Sequence, residues 1–159
     1  MKNRFYLLLL LMWMFVLLWT AGAAIADDKA PKKEGANWVL LHSEPEHSDF
    51  FYDKAALCGS PEDILTVWTK VVYGKVGKAD MLEGLSNVKA YQDLAYTLYQ
   101  YGINCATRQS RLQQIIHIDS KGNRIAEFNL TGKTEWEEIT PDSRLDMVAE
   151  AECMPGAEP

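Results

Sequence analysis

Few side chains in this 159-residue chain have the chemistry for catalysis or metal binding. They are His42, His47 and His117, the cysteines Cys58, Cys105 and Cys153, and scattered serines and carboxylates. His42 with Glu44, Glu46, His47 and Asp49 offers mixed nitrogen and oxygen donors, a composition that could hold a divalent cation. Their spacing matches no standard zinc pattern, and Pro45 marks a hairpin tip, so a solvated acidic loop is the expected reading. His117 falls on the polar parity of an alternating stretch, where a cross-strand partner is expected rather than a catalytic base. Ser110, Ser120 and Ser143 lack a G-x-S-x-G context, and Ser143 has a local role at a helix start. Glu135, Glu137 and Glu138 flank Trp136 as a solvated edge with no partner for acid–base work. Asn129-Leu130-Thr131 is a bare three-residue sequon. The expectation is therefore no catalytic residue, no metal ligand and no cofactor. The alternative is a small metal-dependent or hydrolytic enzyme using His42 and His47, or His117.

Compartment follows from the N-terminus. Lys2 and Arg4 precede an apolar run from Phe5 to Trp19, and Ala24-Ile25-Ala26 supplies a small-residue cleavage pattern. This predicts a secretory signal peptide over 1–26, since the run is short of the ~20 residues a spanning helix needs. Residues 27–36 (DDKAPKKEGA) form a charged leader expected to be flexible, 37–154 one domain, and 155–159 a disordered tail. All 22 acidic residues lie beyond the signal segment, which takes two of the 16 basic ones, so the exported part is more acidic than the chain's net −6. That charge argues against nucleic acid, whose phosphates need basic neutralisation. No second apolar segment approaches membrane-spanning length. Export to the periplasm, outer surface or medium meets an oxidising environment, where three thiols allow one disulfide and leave one cysteine over. The spacing has no C-x-x-C.

The positioning elements read as an antiparallel meander. Asn37–Leu41 and Phe50–Tyr52 form a hairpin about Pro45. Ile64–Tyr73, rich in β-branched and aromatic residues, is a strand from the middle of a sheet. Tyr96–Cys105, Arg111–Asp119 and Ile125–Leu130 follow, with turn chemistry at Asp119–Asn123 and Gly122 free to take positive φ. Gly74–Lys89 fits a short helix or an ordered loop, with Gly77 and Gly84 weakening any long helix. Thr140 as cap, Pro141 as first helical residue and Asp142 in the first turn predict a tail helix. Its apolar stripe is Leu145, Val148, Ala149 and Cys153, with Asp146 and Glu150 on the outer side.

Taken in order, several of these residues form a pattern. Trp38, Phe51-Tyr52-Asp53, Val67-Trp68-Thr69-Lys70, Asn104-Cys105-Ala106-Thr107-Arg108, Asp119-x-x-Gly122 and Trp136-x-x-Ile139-x-Pro141-x-Ser143 lead to a terminal Cys153. This order resembles the surface-adhesin protein E family of exported bacterial proteins over residues 37–153. The resemblance implies an α+β fold, a curved antiparallel sheet of about six strands with a C-terminal helix packed on one face. It also implies a disulfide tether, at positions matching Cys105 and Cys153. Cys58 departs from the pattern: it could stay free, compete for a partner or bridge two subunits. Family members bind host proteins, which implies a non-enzymatic envelope binding module, but no binding motif carries over.

One helix covers one face of a sheet. If Cys105 points to the helix, Tyr99, Tyr101 and Ile103 share that side. Tyr96 and Leu98, with Trp68 or Val67, then belong to the opposite face. An uncovered apolar face invites a partner, so Tyr96, Leu98 and Trp68 are the expected partner-binding residues for an unknown protein or a homodimer.

Overall fold

The computed structural model describes residues 36–54, 64–85 and 88–153. The expected signal peptide and the expected leader before Ala36 lie outside them, as do Cys58 and the residues after Cys153. The chain runs β1 (Trp38–Glu44), β2 (Ser48–Asp53), β3 (Ile64–Tyr73), α1 (Lys75–Glu83), a 3-10 turn (Val88–Tyr91), β4 (Leu94–Asn104), β5 (Gln109–Asp119), β6 (Arg124–Asn129), β7 (Glu137–Glu138) and α2 (Arg144–Cys153). Six strands pair in chain order as one antiparallel meander. Seven strands are seen rather than six, because β7 adds two residues to the stretch of β5 that β6 leaves free.

Turn chemistry fixes the register. The Asp119 carboxylate accepts the N–H groups of Lys121 at 2.9 Å and Asn123 at 2.7 Å, while Gly122 takes φ +84°. Between β1 and β2 the register shifts between Leu40 and His42. His42 therefore lies opposite Phe50, with ring centroids 6.3 Å apart.

Alternation divides the sheet into two faces. On one, Tyr52, Leu65, Val67 and Ile103 pack with Ile139 and with Val148 and Ala149 of α2. Each fully buried aliphatic side chain there contributes about 1.5–3 kcal/mol of transfer free energy. Cys105 and Cys153 are bonded at the far end of α2, with Cα atoms 5.4 Å apart. The opposite face holds Leu98, Ile116 and Ile118, with Trp38, Trp68 and Tyr96 packed against them. Val67 belongs to the helix side and Trp68 to the other, as neighbouring strand residues must.

The start of α2 differs from the sequence reading. The helix begins at Arg144, and Ser143 is its cap, with the Asp146 N–H donating to Ser143 Oγ at 3.2 Å. Thr140–Ser143 is instead a turn closed by Ser143 N–H to the Thr140 carbonyl at 3.2 Å. Pro141 fixes its second position and Asp142 takes φ 61° at its third. Proline is as favourable at such a turn as at a helix start, so local sequence did not separate the two. Asp146 is also not on the outer side: it is buried, and its carboxylate binds the Arg108 guanidinium and the Asp142 N–H. Glu150 is exposed as expected.

The stretch after β3 is a short helix. Its glycines are sites of close approach: a Cβ on Gly74 would meet the Glu46 carbonyl oxygen at 2.4 Å, and one on Gly77 the His47 carbonyl oxygen at 2.2 Å. Backbone hydrogen bonds from Gly74 to His47 (2.7 Å) and from Val76 to Glu46 (2.9 Å) fasten α1 to the β1–β2 turn.

Candidate functional site

A cleft of ≈ 930 Å³ opens on the helix-bearing face, beside α2 rather than on the face away from it. Two relations create it. α2 is only ten residues long and is anchored by its disulfide toward the Asn104 end of β4. α1 is held against the hairpin turn at the other end. Between them the sheet presents Phe50, Tyr73, Tyr99 and Tyr101 as floor, with Ser110 at one side and Glu137 to Leu145 as a wall.

The tyrosines face the cleft because β4 alternates: Thr97, Tyr99, Tyr101 and Ile103 share the helix side. The rings of Tyr99 and Tyr101 stack, with centroids 6.3 Å apart and planes 28° apart. Burial raises both phenol pKa values, helped at Tyr99 by Tyr73 and opposed at Tyr101 by the nearby Arg144. Both are neutral hydroxyls at physiological pH. Arg144 lies at the rim, its guanidinium 3.1 Å above the Phe50 ring and 3.0 Å from Glu44 Oε1.

A polar chain leads from the Tyr73 end of the floor into the interior. The Tyr73 hydroxyl donates to Thr97 Oγ1 at 3.0 Å, and Thr97 Oγ1 lies 2.9 Å from His117 Nδ1. Thr97 and His117 are directly opposed across β4 and β5. His117 is buried, edge-on to Tyr91 and Phe128. Burial lowers its pKa and so favours the neutral imidazole, whose Nδ1 shares a hydrogen bond with Thr97 Oγ1. The polar parity of His117 is thus a satisfied interior position, and His117 is not among the residues lining the cleft.

The other expected residues separate. His42 sits 3.4 Å from Glu44, and His47 lies 3.6 Å from Asp80 of α1. The two histidines are engaged by different acids. Among the described residues no group of three or more His, Cys, Asp or Glu side chains is placed to hold a metal ion. Tyr96, Leu98 and Trp68 do meet on the face away from α2. That face is largely self-covered, with Leu98 only 8% exposed and Ile118 at 0%. Leu40 and Ile64, on the same parity, stay exposed at 54% and 42%.

The cleft was missed because sequence parity sorts residues to a face without saying how much of that face a helix covers. A signal existed: the tail helix is three turns long, too short to span a sheet of six strands about 4.8 Å apart. No helix among the described residues is long and apolar enough to cross a membrane. The chain matches no protein-family model, and no curated protein compared with it matches.

Proposed function

We propose that this chain is an exported, non-enzymatic binding module of the cell envelope, related to surface-adhesin protein E, that takes its ligand in the cleft beside α2. The observation that carries this reading is the aromatic floor of Phe50, Tyr73, Tyr99 and Tyr101 in a concavity of ligand size. Aromatic side chains are the residues most often found at the centre of binding sites, because they offer large contact area at low entropic cost. The nearby histidines support binding over turnover. His117 is used within the interior, and His42 and His47 are held by Glu44 and Asp80. The Cys105–Cys153 bridge fits an oxidising compartment.

The test is an NMR screen of the folded protein against a mixed set of sugars, amines, carboxylic acids and short peptides. Binders are expected to shift Tyr99, Tyr101 and Ser110 and to be recovered unchanged. Chemical conversion of any binder, or binders mapping only to the Tyr96–Trp68 face, would refute the reading.

A further inference from the structure

We propose that the ligand of this cleft is a small organic cation, an alkylated or quaternary amine on an apolar body, seated over Tyr99 and Tyr101 with Glu137 as its counter-charge. The proposal rests on the cleft being the binding site and names the chemistry that the site selects.

This chain repeatedly places a cation on a ring face. Lys70 Nζ lies 4.4 Å from the Trp38 ring and 4.6 Å from Phe51, Arg111 lies 4.6 Å from Trp136, and Arg144 lies over Phe50. The attraction comes from the negative face of the aromatic quadrupole and strengthens as the cation loses water. Among the described residues no side-chain cation sits over Tyr99 or Tyr101, although their stacked rings line the cleft floor.

The charges around the cleft point the same way. Glu44 is matched by Arg144 and His42, and Asp80 by His47. Glu137, Glu138 and Asp142 also line the cleft, and no ion pair among the described residues engages these carboxylates. Two basic side chains line the cleft: Arg144, committed to Glu44 and Phe50, and Lys70, whose ammonium lies over the Trp38 and Phe51 rings. The surplus is negative, which favours a cation and disfavours a carboxylate or phosphate.

A polar anchor is present as well. Ser110 is only 8% exposed, lines the cleft and donates its hydroxyl to no group among the described residues. It pairs across the strands with Glu137, and cross-strand partners share a face, so hydroxyl and carboxylate flank the same wall. The hydroxyl is open to the cleft rather than sealed in the interior, so a ligand hydroxyl or amine can meet it there.

The test uses choline, its neutral isostere 3,3-dimethylbutan-1-ol and the anion 3,3-dimethylbutyrate as probes, each titrated into the folded, disulfide-bonded protein by NMR. Choline is expected to shift Tyr99, Tyr101 and Ser110 and to bind roughly tenfold tighter than the alcohol. Glu137→Gln, an exposed change that leaves the spectrum otherwise intact, is expected to reduce that preference severalfold. Equal or tighter binding of the alcohol or the anion at the same residues overturns the cation and leaves the cleft as a binding site. Failure of all three probes to shift the cleft residues overturns the cation and counts against the cleft itself.

Discussion

The Arg108 guanidinium and the Asp146 carboxylate are bonded across 38 residues, joining the β4–β5 turn to the first turn of α2. Asp146 also accepts the Asp142 N–H at 2.9 Å, so one carboxylate closes both the helix start and the turn before it. With Cys105–Cys153 at the other end, α2 is held at both termini and its apolar stripe needs to supply only the middle. Asp146→Ala should lower stability by about 1–3 kcal/mol, because Arg108 loses its acceptor and the Asp142 N–H its partner. Chemical denaturation checks the size. Hydrogen exchange should show the loss concentrated at residues 142–148.

The bridge should account for a comparable share. Its two cysteines are 48 residues apart. On the chain-entropy estimate, closing that loop is worth about 4 kcal/mol. Cys153→Ser should lower stability by up to that amount and free the C-terminal turn of α2. An unchanged melting temperature would contradict this, and peptide mapping without reduction should recover Cys105 joined to Cys153.

Gly77→Ala tests whether α1 belongs to the fold or rides on it. Alanine favours a helix over glycine by about 1 kcal/mol, so a free helix would gain stability. Here the added methyl would lie 2.2 Å from the His47 carbonyl oxygen, against backbone that cannot step aside. Net destabilisation is expected, with exchange protection lost in α1 and the β1–β2 turn. A rise in melting temperature would show that the two do not pack.

His117 should make stability fall with acid. Its folded pKa lies below the ordinary 6.5 because burial disfavours the imidazolium. Thr97 from β4, Tyr91 from the 3-10 turn and Phe128 from β6 surround it, and none brings a negative charge. Above about pH 6.5 both states are neutral and the group contributes no slope. As pH drops below that, the unfolded chain takes up a proton that the folded one resists. Stability then declines by up to about 1.4 kcal/mol per pH unit until the folded pKa is reached. His117→Phe, which keeps the ring packing, should flatten that decline between pH 6.5 and 5. An identical slope in the variant would place the acid sensitivity elsewhere.

Much of the architecture was legible in residue order. Ile64–Tyr73 reads as a strand from its β-branched and aromatic run, and Asp119–Asn123 as a turn, because those signals act within a few residues. Alternation placed Tyr101 with Cys105 and Tyr96 with Leu98 on opposite sides, since the strand period of two admits no other arrangement. Spacing alone allowed any pairing of three thiols. The resemblance singled out Cys105 and Cys153, and the fold brings them together. Tertiary structure decided what depends on distance through space. It buried His117 against Thr97 and drew Asp146 inward to Arg108. It covered Leu98 with Trp38 and Trp68, and left Tyr99 and Tyr101 at the floor of an open cleft. Sequence parity assigns each of these side chains to a face. How far a three-turn helix reaches over that face is set by packing between elements distant in the chain.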